Sequence, residues 1–252
     1  MGILAEARDE FKRIVRERGI EADSVEITAE GLSPEESIGD PGRRDFPLLQ
    51  GREVMIEAVF KGSRGQAFTD QPGEYRGTLA EIIEMKMKSS RERALLVAAI
   101  NAVLHHLGLI ERTVHCRDDE MEKCMEEMVM HITEKRDDVE KVGIVGFQPA
   151  LVEKAVDSFG ASAVMVTDLD GERIGSEQYG VKILDGDKDT EYMVKSSDFL
   201  FITGSTAVNS TADYLLELLE AYGRDFAFYG NTISGVSWLL DLPQLCFYGR
   251  KG

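Results

Sequence analysis

The chain has 252 residues, with 46 acidic against 29 basic side chains and a net charge of -17 at pH 7. That length supports one large domain or two modest ones, and the apolar fraction is ordinary, which excludes wholesale disorder. A surface this acidic repels DNA, RNA and anionic lipid at long range, so no nucleic-acid partner is expected.

Cys116, Cys124 and Cys246 are the three cysteines. An odd, sparse set argues against a disulfide framework and fits a reducing cytoplasm. The first residues, MGILAEARDEFKR, carry acids where a signal peptide needs a clean apolar stretch. The longest apolar run, ALLVAAINAVLHHLGLI, contains Asn101, His105 and His106. It is too short and too polar to span a bilayer, so no membrane insertion is expected and the run reads as a buried helix.

Residues 3 to 18 repeat apolar side chains at helical spacing and stop at Gly19. DSVEITAEG then alternates like a strand, and the stretch 33–51, with three prolines and three glycines, reads as a long loop. EVMIEAVF and GQAFT read as strands, and GTLAEIIEMKM and SSRERALLVAAINAVLHHLG as helices, the second capped by Ser89 or Ser90. This first half has an α+β order. A further helix is expected from about Asp118, with Met121, Cys124, Met125, Met128 and Ile132 on its apolar face.

Beyond it the pattern changes. KVGIVGF, SAVMVTDL, DFLFITG, DFAFYG and QLCFYG are short apolar runs ending in glycine or a polar residue, most of them separated by helical segments. That is the pattern of a parallel sheet with crossover helices. The expected division is an α+β domain at 1–112, a helical connector at 113–139 and an α/β domain at 140–252.

In such sheets the ligand sits beyond the carboxyl ends of the strands. The richest loop there is TGSTAVNST, with Thr203, Gly204, Ser205, Thr206, Asn209 and Thr211. It has no P-loop lysine, so a polyphosphate is disfavoured, but backbone N–H groups and hydroxyls suit a carboxylate or a single phosphate. Helix capping by Asn209 or Ser210 explains one polar residue there, not five. GIVGFQP lacks the glycine spacing of a dinucleotide fingerprint, although Asp168 lies about twenty residues on, where a ribose-binding acid would sit. Asp168 reads more readily as a turn cap at a strand end.

The combination of GIVGFQPALV, FITGSTAVNST and FYGNTISG, with GQAFTDQPGEYRGTL and RALLVAAINAVL before it, resembles the family known as putative heavy-metal chelation. The resemblance implies an enolase N-terminal-like first domain, a Rossmann-like second domain and a site in the cleft between them. On this sequence its motif residues would be Gly204, Ser205, Thr206, Asn209 and Thr211 in one loop, Asn231 and Thr232 in a second, and Asn101 on a first-domain helix. Many members have proline where this chain has Asn231.

Read from the residues alone, Asn101 has two uses: orienting neighbouring backbone or pointing into the cleft. His115 and Cys116 are candidate ligands for a transition or heavy metal ion, since soft and borderline metals take imidazole and thiolate. If one continuous helix ran from Cys116 to Cys124, it would hold the two thiols about 12 Å apart and prevent a shared ion. The leading expectation is a protein that binds a small anionic molecule or a metal chelate, with a homo-oligomer as a further expectation. The alternative is an enzyme using S-adenosylmethionine or a dinucleotide, with Asp168 on the ribose. No Ser-His-Asp arrangement, HExxH motif or paired CxxC points to a particular reaction.

Overall fold

The computed structural model describes residues 2–27, 32–50 and 54–252. Parts of three expected elements, at 28–31 in the first strand, Gly51 at the end of the long loop and Glu53 at the head of the second strand, lie outside the described residues.

Helix α1 (Ile3–Glu17) is followed by β1 (Ser24–Ile27), the short helix α2 (Pro34–Ile38), a 3-10 turn at Pro47–Gln50, and the hairpin β2 (Val54–Phe60) and β3 (Ser63–Thr69). The hairpin turns on Lys61 and Gly62, both at positive φ, which matches the twist of the two strands. Strand β4 (Tyr75–Thr78) runs into α3 (Leu79–Ile83), and α4 (Ser90–His106) follows. Thr78 and Ser89 each close a capping box, with Glu81 and Glu92. The described part of the stretch, 33–50, is more ordered than a loop, because Ser33 and Glu36 form a third capping box that starts α2 at Pro34. The four strands form an antiparallel sheet in the order β3-β2-β1-β4.

Every residue of α4 from Ala94 to Leu104 is buried. A helix apolar all round must be covered all round. The sheet covers one side, and the chain's second half covers the other. Gly65 on β3 permits the closest approach, since a Cβ there would fall on the backbone nitrogen of Ala102.

Strand β5 (Arg112–Val114) leads to α5 (Glu120–Lys135), then β6 (Val142–Val145), α6 (Pro149–Phe159), β7 (Val164–Asp168), β8 (Glu177–Gln178), β9 (Val181–Asp185) and α7 (Thr190–Ser196). The chain continues through β10 (Phe199–Thr203), α8 (Thr206–Asn209), α9 (Ala212–Tyr222), β11 (Asp225–Tyr229), α10 (Ser234–Leu240), β12 (Gln244–Leu245) and β13 (Arg250–Lys251). The second sheet has seven strands in the order β12-β11-β10-β6-β7-β9-β8, parallel except where β8 pairs with β9. Numbered along this half, β9-β7-β6-β10-β11 is the order 3-2-1-4-5, and it reverses between β6 and β10.

Strand parity sorts the core. Phe199, Phe201, Val142 and Ile144 join one cluster with α5 and α6, while Leu200, Ile202 and Phe228 join another with α1, α4 and α7 to α10. The first antiparallel sheet thus shares a core with one face of the second sheet. Helix α5, expected as a connector, packs on α6 and covers the other face. None of the helices among the described residues is long and apolar enough to cross a membrane.

Candidate functional site

The carboxyl ends of β6, β7, β10 and β11 open into a cavity of about 900 Å³. Its walls come from both halves of the chain: Phe68, Thr69 and Asp70 at the end of β3, Phe46 to Leu48 before β2, and the loops that follow the second sheet's strands. The loops at the strand-order reversal interlock closely. Gly146, at φ 84°, sits against Thr203, and a Cβ there would stand 2.7 Å from Thr203 Cγ2. The Gly146 carbonyl accepts from Tyr229 Oη at 3.0 Å. Gly204 N–H donates to the Tyr229 carbonyl at 2.9 Å, and a Cβ on Gly204 would meet Ile233 N at 2.9 Å.

Thr203, Gly204, Ser205, Thr206, Asn209 and Thr211 all line the cavity. Several of their polar atoms serve the loop itself. Thr206 Oγ1 donates to the Thr203 carbonyl at 2.7 Å, and Thr203 and Ser205 hydroxyls lie 3.1 Å apart. Asn209 Oδ1 accepts from Thr211 N–H at 3.1 Å and Thr211 Oγ1 at 2.7 Å, while Ser210 takes the left-handed conformation at φ 67°. Local turn chemistry thus explains more of this hydroxyl cluster than one cap would. The Asn209 amide nitrogen makes no such bond.

Asp168 also lines the cavity. Its Oδ2 accepts from Phe147 N–H at 2.7 Å and its Oδ1 from Asp170 N–H at 2.8 Å. At the start of α6, Gln148 Oε1 accepts from Leu151 N–H at 2.7 Å and Pro149 supplies no donor.

The structure separates the remaining candidates. Thr232 lines the cavity, and its Oγ1 accepts from Phe68 N–H at 3.1 Å. Asn231 and Asn101 do not line it; they lie between the two halves of the fold. Asn101 is fully buried, and its Nδ2 donates to the carbonyls of Gln66 at 2.9 Å, Thr232 at 3.0 Å and Asn231 at 3.3 Å. Its Oδ1 accepts from Gly235 N–H at 2.7 Å. Asn231 Nδ2 donates to the Thr113 carbonyl at 3.3 Å. Of the two uses open to Asn101 from sequence, the geometry supplies the orientation of backbone.

His115 lines the cavity and Cys116 is buried behind it. His115 Nδ1 lies 2.7 Å from the Cys116 carbonyl, which fixes the Nδ1–H tautomer, and its ring meets Phe68 edge-on at 5.4 Å. The continuous helix that would separate Cys116 from Cys124 does not form. Asp118, at φ 57°, reverses the chain before α5 begins at Glu120, and Cys116 and Cys124 join one buried cluster. The neighbouring Cys116 thiol, together with burial, holds the Cys124 thiol above its ordinary range. Among the described residues, no three or more His, Cys, Asp or Glu side chains are grouped to hold a metal ion.

Two parts of the site escaped the sequence. The first is the segment before the 3-10 turn. Arg43 reaches Asp45 and Glu153, each at 2.7 Å, and also donates to Tyr179 Oη. Burial and Asp45 push the Tyr179 hydroxyl up to about 12. This network fastens Phe46, Pro47 and Leu48 over the cavity. Its only sequence signal is the unlike-charge spacing of Arg43 and Asp45. The second is Thr167, buried beside Asp168 and lining the cavity.

Comparison with known proteins places this geometry. The model of the DUF364 family, described as putative heavy-metal chelation, matches residues 129–242. A DUF364 protein of unknown function from Pyrococcus horikoshii has a similar structure, with 18% identity over 91% of this chain and 79% of that one, at a TM-score of 0.55. Another, from Desulfitobacterium hafniense, has 18% identity over 74% of this chain and 72% of its own, at a TM-score of 0.46. No curated protein matches the chain.

Proposed function

From the premise that the segment 129–242 belongs to the DUF364 family, we propose that the protein binds a small molecule, or a metal carried as a chelate, in the cleft between its two halves. The observation that carries this reading is the cavity of about 900 Å³ at the strand-order reversal, walled by both halves of the chain. Thr203 to Thr211 supply hydroxyl and amide contacts. Ile38, Phe46, Leu48, Met121, Met125 and Phe147 supply an apolar wall.

The lining also bears on charge. Among the described residues it includes Asp70, Asp168, Asp170, Glu172 and Asp187 together with Arg173 and His115, and Arg173 lies 3.4 Å from Asp170. Because no grouped ligand set stands ready for a bare ion among the described residues, the organic part of a chelate would make most of the contacts.

The alternative is an enzyme with a nucleotide-like cofactor. Asp168 at the end of the second strand of a 3-2-1-4-5 sheet favours it. The start of α6 opposes its dinucleotide form, since Asp168 and Gln148 take the Phe147 and Leu151 N–H groups and Pro149 has none.

Native mass spectrometry of protein purified under reducing conditions without added metal tests the main reading. A bound mass that disappears on denaturation is expected, and Asn209→Ala is expected to weaken its rebinding without loss of fold. Unchanged affinity of that variant for every ligand found would remove the loop from the site.

A further inference from the structure

One wall of the cavity is a segment without strand or α-helix. Residues 39–50 run from the end of α2 through the 3-10 turn, and Phe46, Pro47 and Leu48 line the cavity from that side. Phe46 and Leu48 are buried, whereas Gly42, Arg44 and Gln50 are exposed. The segment thus has an apolar underside and a polar back.

Its attachments are few and differ at its two ends. At the start, Asp118 pins it: Asp118 N–H donates to the Ile38 carbonyl at 2.8 Å, and Asp118 Oδ1 accepts from Asp40 N–H at 2.9 Å. Just beyond that pin, Gly42 has no atom within 4 Å of where a Cβ would stand, which suits it as a hinge. From residue 41 to 50, no backbone-to-backbone hydrogen bond among the described residues leaves the segment. Side chains tie it to the chain's second half instead. Arg43 donates to Glu153 on α6 at 2.7 Å and to Tyr179 Oη beyond β8. Tyr179 Oη donates to Asp45 at 2.7 Å, and Arg173 Nη2 donates to Gln50 Oε1 at 3.0 Å.

These ties are partly open to water, since Asp45 and Glu153 are half-exposed, and such ion pairs are weak. Phe46 and Leu48 add apolar anchorage, but both border the cavity. Lifting them gives up less packing than lifting a side chain enclosed all round. A segment held in this way opens locally at far lower cost than the fold unfolds. Phe46 joins the two sides, because it lines the cavity and its ring centre lies 5.7 Å from the Arg43 guanidinium.

We infer that residues 41–50 are a lid over the cleft, latched to the second half through Arg43 and Gln50, which opens to pass ligand. The inference rests on the cleft being the ligand site, and it adds how that site is reached.

Helix α5 carries the probes for a test. Met121 and Met125 line the cavity and are 2% and 6% exposed. Met128 is fully buried and does not line it, and Met130 is 48% exposed. Dilute hydrogen peroxide turns a methionine it reaches into the sulfoxide, and tandem mass spectrometry reads each residue's initial rate. In the wild type, Met121 and Met125 should react much more slowly than Met130. Arg43→Ala should speed both about 5- to 30-fold, the effect of removing a latch of this kind, while Met128 and Met130 keep their wild-type rates. Tyr179→Phe removes only the hydroxyl and should act in the same direction by less, which keeps the test alive if Arg43→Ala does not fold. The lid is overturned if Met121 and Met125 react as fast as Met130 in the wild type, since the cleft is then already open. It is equally overturned if neither variant speeds them, or if Met128 accelerates with them, which is general loosening. No ligand enters the test, so a negative result removes the lid and leaves the cleft reading to its own experiment.

Discussion

Replacing Asn101 by alanine separates a structural clamp from a ligand contact. The side chain is fully buried on α4 and reaches three carbonyls and one N–H, on β3 and on the loop and helix start that follow β11. The two amide hydrogens divide among the Gln66, Thr232 and Asn231 carbonyls, so two full donor bonds and one acceptor bond are lost. A net contribution of about 1 kcal/mol per bond, plus about 1–2 kcal/mol for the Gly235 N–H left without a partner, gives a loss of about 4–5 kcal/mol. Against a total stability of about 5–15 kcal/mol this is severe. In urea, with a slope near the upper end of about 1–3 kcal/mol per molar for a chain of this size, the midpoint should fall by about 1.5 M. Circular dichroism at 222 nm reads that midpoint directly. A loss below about 1 kcal/mol, accompanied by weaker ligand binding, would refute the clamp and return Asn101 to the ligand set.

Other consequences follow from the same contacts. Gly65→Ala places a Cβ on the backbone of α4, where no side chain can yield, and should abolish accumulation of soluble protein, read by expression and gel filtration. Arg43→Ala should cost about 1–2 kcal/mol and hasten proteolysis within residues 39–50, because it unfastens that segment from Glu153 and Tyr179. Burial pushes the Asp45 carboxyl up, but the Arg43 and Tyr179 hydrogen bonds outweigh it and hold the group below its ordinary 3.8. Its contribution is therefore complete above that value and disappears as pH falls through the lower folded value. The stability gap between wild type and Arg43→Ala should narrow correspondingly in acid denaturation series. Cys124, raised by the neighbouring Cys116 thiol and by burial, should resist iodoacetamide at pH 8 in the folded protein and react once urea unfolds it.

The parallel half of the fold was legible because its strands are short apolar runs. Gly143 to Val145, Phe199 to Ile202 and Phe226 to Tyr229 feed both cores and need little else to specify them. The strands that escaped are held by backbone pairing rather than by apolar content. Tyr75 to Thr78 is half exposed and joins β1 through its ladder and an Arg76–Glu26 ion pair, and Glu177–Gln178 is a two-residue edge beside Val181. The helix at Pro34 was hidden by the proline and glycine count around it, although its Ser33-to-Glu36 capping box is a local signal that could have found it. Site residues divide similarly. The loop from Thr203 to Thr211 announces itself by composition. Thr167 cannot, because being without a partner is a property of its neighbours and not of threonine.

The start of α6 shows how a familiar strand order can acquire a different use. In a sheet of this order the first helix ordinarily offers its N-terminal N–H groups to phosphate. Here Phe147 N–H is taken by Asp168, Leu151 N–H by Gln148, and Pro149 has none to give. A phosphate at this point would have to displace a carboxylate from its hydrogen bond and then sit beside it, a like-charge contact that a low-dielectric cleft makes worse. Asp168→Asn removes the charge. Its amide oxygen can keep the Phe147 bond, while the Asp170 N–H loses its acceptor. AMP and inorganic phosphate, weak or absent binders of the wild type, should gain affinity, whereas adenosine should not. If the variant leaves phosphate binding unchanged, Asp168 is not what closes this helix terminus to anions. The exclusion would then have to come from the narrow packing of Gly146 against Thr203, where a Cβ would already stand 2.7 Å from the threonine methyl.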